Sequence, residues 1–357
     1  MSWKDCKNIL CIRPDNMGDL IMTGPAIRAL RQSFGAKVTV LTSSMAKGVI
    51  RLMPEIDDHI IYDLPWVKSK ESPDAESINR VVEEIKLREF DAAIIFTVYS
   101  QNPLPTAMLV FMAGIPKVLA YCRENPYGLL TDWVPDIEPY SLIKHQVRRD
   151  LDLVAAVGAT TTEEDLQLQV DEDLWPNVEA TLVSNGVDIN KPWLILHAGV
   201  SEEKREYPKE KWVDVAKLTV EKGFQVLFTG SQSESELAKG LAAKAGVDCF
   251  SVAGCFDVAQ FACLIKQAAL VVCVNTGTLH IAAAVGTPVV ALYAQTNPQH
   301  TPWNIPNRVF EFSVPPALRS RNEIIAYVNG KLYQELIPPP RPEGVVNAIS
   351  DLLNLPG

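Results

Sequence analysis

"NILCIRPDNMGDLIMTGPAIRAL", residues 8–30, is the stretch that decides the fold. Its first six residues form a nearly unbroken apolar run, the pattern of a strand covered on both faces. A loop holding two acids, Asp15 and Asp19, follows, and then a helical pattern over about 20–34. A strand, a short loop and a helix in that order open a parallel βαβ unit. Gly18 is expected to take a conformation closed to other residues, and Asp19 to cap the first turn of the helix. Ligands of open α/β sheets sit at the carboxyl ends of the strands, so Asp19 is equally a candidate general base. Capping and catalysis both account for it, and Asp15 is a weaker rival in the same loop.

The same rhythm continues outward. Strand candidates lie at 37–43, 59–64, 91–98 and 117–122, with helix candidates near 44–53, 75–89 and 103–113. The stretch 135–191 breaks the alternation with a helix near 144–157, a short strand "LQLQV" (166–170) and the acidic "DEDLWP". Strands then return at 192–199, 224–231, 249–254, 269–277 and 288–296. Two successive Rossmann-like α/β/α domains follow, at 1–165 and 166–340. After "PPPRP" (338–342), residues 341–357 form a final helix that packs back onto the body.

Composition narrows the function. The 357 residues suit two domains rather than one core. A net charge of -10 argues against a nucleic-acid partner, because nonspecific binding there rests on neutralising phosphates. The longest apolar runs fall short of a membrane span, and the N-terminus has no secretory signal, so a cytoplasmic location is expected. Seven cysteines, scattered and mostly within apolar patterns, suit reduced core thiols; neither a zinc motif nor a disulfide framework is present.

Chemistry concentrates after the strands of the second domain. "HAGVSEEKREYP" (197–208) brings Gly199, Ser201 and Arg205; "GSQSESELA" (230–238) brings Gly230 and Glu234; "NTGTLHIAAAVG" (275–286) brings Asn275, Thr276, Gly277 and His280. A helix N-terminus with free N–H groups, a Thr hydroxyl and a Gly for close approach makes a cradle for a diphosphate. Arg205 can add charge-assisted bonds to phosphate, and Glu234 can accept from ribose hydroxyls. Each residue also has a plainer explanation. Glu234 suits a helix dipole, Arg205 belongs to a charged run, and His280 fits a core position. Their common placement after strands favours a nucleotide diphosphate.

Taken together, "IRPDNMGDLIMTGPAIRALR", "LHAGVSEEKREYPKEKW", "GSQSESELA" and "NTGTLHIAAAVGTPVVALYAQTNP" resemble, in order and separation, the signatures of glycosyltransferase family 9, the ADP-heptose:lipopolysaccharide heptosyltransferases. The likeness spans residues 8–303 and fades over the last 50. It implies a GT-B fold with the site in the interdomain cleft. It also implies inverting transfer from a nucleotide sugar, expected to be ADP-linked, to a cell-envelope glycan or glycolipid acceptor, with no cofactor and no essential metal. By resemblance, Asp19 is the catalytic base. Gly18, Gly199, Ser201, Arg205, Gly230, Glu234, Asn275, Thr276, Gly277 and His280 lie on the donor side. Asn275 departs from the family's acid at that motif.

The acceptor side is read from basic residues near loops of the first half: Lys68, Lys70, Arg123, Lys144, Arg148 and Arg149, each of which also fits an ordinary solvated side chain. "WVKSK" (66–70) is the candidate for peripheral contact with the inner face of the membrane. Competing readings are a nucleotide-sugar epimerase or hydrolase on the same fold, and a nucleotide-binding module without catalysis.

Overall fold

A computed structural model describes residues 2–68 and 74–355, in two compact units, Met1–Gln167 and Leu168–Gly357. Lys70 lies outside the described residues.

In the first unit, β1 (Asn8–Arg13) leads through a three-residue loop into α1 (Met17–Phe34). Then come β2 (Lys37–Thr42), β3 (Asp58–Ile61), α2 (Ala75–Leu87), β4 (Ala92–Ile95) and α3 (Leu104–Met112). β5 (Val118–Cys122), β6 (Asp132–Pro135) and α4 (Gln146–Ala155) complete it. The sheet is wholly parallel in the order β3-β2-β1-β4-β5-β6, with Ile9 of β1 opposite both Val38 and Ala92. Leu10 and Ile12 join one core with helices α2 and α3. α1 packs beside α4 on the sheet's other face, which leaves most of α1 buried.

The second unit repeats the plan. α5 (Trp175–Ser184) precedes β7 (Trp193–His197), α6 (Lys209–Glu221), β8 (Gln225–Thr229), α7 (Ser235–Ala245), β9 (Cys249–Ser251) and α8 (Val258–Gln267). β10 (Leu270–Val274), α9 (Gly277–Val285), β11 (Val289–Ala294), β12 (Asn307–Phe312), α10 (Glu323–Leu332) and α11 (Pro342–Leu352) follow. Its parallel order, β12-β11-β10-β7-β8-β9, is the order of the first sheet listed from the other edge. Each sheet therefore reverses direction once, between β1 and β4 and between β7 and β10. A doubly wound sheet opens its ligand crevice at that point. α11 buries Val345, Val346 and Ile349 in the core that α6 covers, and Tyr207 Oη and Lys211 Nζ hold the preceding strap by donating to the Pro340 carbonyl.

Several local expectations change. α1 begins at Met17 rather than on Asp19, and Asn16 occupies the N-cap position. Asp19 is the third helical residue, and its Oδ2 accepts the Asn16 N–H at 3.2 Å, which places it as the returning half of a capping box. Gly18 lies inside that first turn and is absent from the residues with positive φ, so its backbone is one that other residues also adopt. The helix expected over 44–53 is a short 3-10 turn, Lys47–Leu52, because Ser43 and Ser44 bond to the Asp15 carbonyl and the Asp63 carboxylate instead. "LQLQV" forms no strand. Leu166 and Leu168 alternate inward, but the Leu168 N–H reaches only the Ala284 carbonyl at the end of a helix. The strand expected over 249–254 ends at Ser251. Among the described residues no helix is long and apolar enough to cross a membrane.

Candidate active site

At the crevice of the second sheet, four chain segments meet. His197 closes β7 and Thr229 closes β8, and the two are joined by an Nδ1–Oγ1 hydrogen bond of 3.0 Å. Burial depresses the His197 pKa against the opposing pull of Glu234, so the imidazole stays neutral and serves as a strut. Beyond it, a Cβ built on Gly199 would run into the Glu234 carboxylate. One on Gly230 would lie 3.0 Å from the Glu234 Cβ. Neither glycine has an unusual φ; their lack of a side chain lets Glu234 fold in over the strand ends. Glu234 is held there by the Ser231 N–H (2.6 Å) and the Ser231 hydroxyl (2.8 Å), both donating to its Oε2. This carboxylate is aimed before any ligand arrives.

The candidate phosphate cradle lies on the other side of β7. α9 starts at Gly277 with Thr276 as its N-cap in extended geometry. Arg205, in the turn before α6, donates from Nη1 to the Asn275 carbonyl at 3.0 Å, bringing its guanidinium to the α9 N-terminus. Its Nη2 lies 3.6 Å from the Glu202 carboxylate, a loose pairing on a half-buried side chain. The Arg205 Nε and the Thr276 Oγ1 are both buried and, among the described residues, neither has a hydrogen-bond partner. Buried polar atoms are ordinarily satisfied, so two orphaned donors near one helix N-terminus make it a candidate place for an anion.

Asn275 shapes the floor of this cradle. Its Nδ2 donates to the Thr296 hydroxyl (2.8 Å) and to the Ala294 carbonyl (3.3 Å), tying β10 to the segment after β11. A carboxylate could not donate these bonds. The amide therefore does a structural task that the family's acid cannot, and it leaves the cradle less negative. His280 is buried one turn into α9, where its ring stands edge-on to His300 at 6.3 Å. Ser201 is exposed on the loop after β7.

The first unit places Asp19 at the carboxyl end of β1. Its Oδ1 lies 3.2 Å from Arg13 Nη2 and its Oδ2 takes the Asn16 N–H. Asp15, the rival, is held by Arg13 Nε at 3.1 Å and by the Gln101 side-chain amide. Burial, with negative Asp19 beside it, pushes the Asp15 carboxyl up to about 6 against the pull of Arg13. Asp150 of α4 is also wholly buried and raised to about 6 by burial, although Arg13 and the Thr23 and Gln146 side chains pull it down. Sequence reading missed Arg13, Asp150, Thr23 and Gln146. The available signal was an arginine ending an otherwise apolar strand.

The basic candidates divide. Lys68 is exposed. Lys144 pairs with Asp152 at 2.6 Å, Arg148 with Glu164, and Arg123 with Asp136 at 3.2 Å while donating to the Tyr99 and Glu138 carbonyls. Arg149 does not belong to a ligand surface. It is 1% exposed, faces Asp136 and Glu138, and stacks on the Tyr121 ring. Its interior carboxylates outcompete solvent for it.

Comparison with known proteins fits this geometry. The model of Glycosyltransferase family 9 (heptosyltransferase) matches residues 78–318. Lipopolysaccharide heptosyltransferase 2 of Escherichia coli K12 is 26% identical over 314 residues, 82% of this chain and 84% of that protein. The solved family 9 glycosyltransferase of Veillonella parvula superposes with a TM-score of 0.78 at 20% identity, covering 98% of both chains. E. coli ADP-heptose lipopolysaccharide heptosyltransferase II gives 0.71 at 22%, covering 97% of this chain and 98% of its own. These structures share the GT-B architecture of two Rossmann-like units.

Proposed function

Since the chain belongs to glycosyltransferase family 9, we propose that it moves a heptose or closely related sugar from an ADP-linked donor to a lipopolysaccharide-core or related cell-envelope acceptor. The observation that carries the donor half is the pair of unsatisfied buried donors, Arg205 Nε and Thr276 Oγ1, at the α9 N-terminus. The leaving diphosphate binds there, where its growing charge meets the guanidinium and the free N–H groups of the first turn. Glu234 accepts from the ribose hydroxyls, with Gly199 and Gly230 giving it room, and Ser201, Asn275, Gly277 and His280 complete the donor side within the second unit.

Asp19 acts as general base. The acceptor hydroxyl gives its proton to the Asp19 carboxylate as its oxygen attacks the anomeric carbon, and the sugar–phosphate bond breaks toward the cradle. A single displacement of this kind inverts the anomeric centre. Charge on the leaving group is met by Arg205 and the helix end, so the chemistry asks for no metal. The acceptor-side candidates are Lys68, which is exposed, and Arg123, Lys144 and Arg148, which would exchange carboxylates for an acceptor phosphate. Peripheral membrane contact is part of the same proposal, because a glycolipid acceptor is itself membrane-bound.

A thermal-shift series with ADP, GDP, UDP, CDP and dTDP tests the donor half. Stabilisation follows ligand concentration over dissociation constant, so ADP should raise the transition most. Equal shifts for all five would remove the base preference, and no shift for any would remove the nucleotide.

A further inference from the structure

The end of β1 carries a buried charge group that the reaction set out above does not use. Arg13 is fully buried, and a guanidinium removed from water costs several kcal/mol unless carboxylates face it. Three do so. Asp15 lies 3.1 Å from Nε, Asp19 lies 3.2 Å from Nη2, and Asp150 acts on it through space from α4. Asp150 is fixed in turn by the Thr23 hydroxyl at 2.8 Å and the Gln146 amide at 2.7 Å, both donating. The Thr23 hydroxyl is also 3.0 Å from the Asp19 carbonyl, so the Asp150 carboxylate and the Asp19 backbone share a tether.

This arrangement answers a difficulty. Arg13 and the Asn16 N–H between them hold both oxygens of Asp19, which fixes the plane of the carboxylate. A base paired with an unopposed arginine is a weak base, because the positive charge favours its ionised form. Further carboxylates beside the arginine cancel part of that pull while leaving the hydrogen bond in place.

We propose that Arg13 and Asp150 are positioning residues for the Asp19 base, Arg13 aiming its carboxylate and Asp150 supplying the counter-charge that keeps it basic. The inference rests on Asp19 being that base. Buried Asp150 and Asp15 both titrate near 6, so the counter-charge develops as pH rises through that value. The groups facing Asp150 are Arg13 and Cys11 on β1, Asp15 in the loop after it, Thr23 on α1, Tyr121 on β5, and Gln146 and Arg149 on its own helix. Those facing Asp15 are Arg13, Asp19, Gln101 and Asp150.

Two variants separate aim from charge. Asp150→Asn keeps both tethers: Gln146 still donates to the remaining oxygen, and the new amide donates to the Thr23 oxygen, whose proton turns to the Asp19 carbonyl. With ADP-heptose and a heptose-deficient lipopolysaccharide core, its acidic limb of kcat/KM should move down by about 0.5–1 pH unit and its plateau kcat fall about tenfold. Its ADP affinity should stay within about twofold of the parent, because the cradle is untouched. Arg13→Lys keeps the charge but loses the fork, so kcat should fall while the limb stays in place. An Asp150→Asn protein with native circular dichroism and an unmoved limb overturns the proposal while leaving Asp19 as the base. Wild-type turnover by Asp19→Asn overturns both.

Discussion

Replacing Asp150 by Asn should make the protein more stable at neutral pH even though it weakens the enzyme. Asp150 has its carboxyl raised by burial from 3.8 to about 6. A raised carboxyl contributes stability that is full below the unfolded value and is lost as pH climbs through the folded one. With those two values, the stability lost to Asp150's raised carboxyl is about 1 kcal/mol at pH 4.5, where it is protonated in the folded chain, and about 3 kcal/mol at pH 7.5, where it is held ionised. The neutral amide mimics the protonated acid and escapes this cost. Attraction to Arg13 is already contained in the folded value, so it is not subtracted again. Urea unfolding of both proteins at the two pH values should therefore show the variant's advantage widening by about 2 kcal/mol toward pH 7.5. An advantage that stays constant, or shrinks with pH, would refute the idea that Asp150 is held ionised against its burial. Stability given up for a charged residue near a reacting group is the usual trade at an active site.

Three other outcomes follow from the second unit. Arg205→Ala removes charge-assisted bonds worth about 1.5–3 kcal/mol, so calorimetry should find ADP binding weakened at least about tenfold; unchanged affinity would take Arg205 out of the cradle. Gly199→Ala drives a methyl into the Glu234 carboxylate, the mobile end of its side chain, so the carboxylate should be displaced and nucleotide binding weakened, seen as a smaller ADP shift with the melting temperature little changed; an undiminished ADP shift would take Glu234 out of the site. Transfer should proceed at an unchanged rate after treatment with a chelator, since Arg205 and the α9 N-terminus meet the diphosphate charge; a rate lost on chelation and restored by a divalent cation would contradict that.

What the sequence reveals depends on whether neighbours in space are neighbours in the chain. β1, β2, β4, β7, β8, β10 and β11 are covered on both faces, and each shows as a run of apolar residues. β6 ("DWVP") and β12 ("NRVFEF") escaped notice because edge strands are half exposed and carry polar residues or proline. "LQLQV" misled in the opposite direction. Its alternation reflects Leu166 and Leu168 packing inward, without the ladder that makes a strand. In the candidate donor site, Thr276, Gly277 and Glu234 stood out because strand–turn–helix junctions leave local marks. The use of Gly199 did not, since it serves a carboxylate from a later loop. Least legible was the group beneath Asp19. Asp150 and Gln146 sit in a helix that reads as amphipathic and charged, and only the fold sets them against Arg13 and Thr23.

The central claim, that Asp19 removes the acceptor's proton while nucleotide binding is handled elsewhere, is tested most directly by Asp19→Asn. The amide preserves size and removes the basic oxygen pair. Steady-state transfer and ADP calorimetry on the same preparation should show kcat reduced by about 100-fold or more with the ADP dissociation constant unchanged within about twofold. Transfer at the parent rate, or a loss of ADP binding that matches the loss of kcat, would contradict the account.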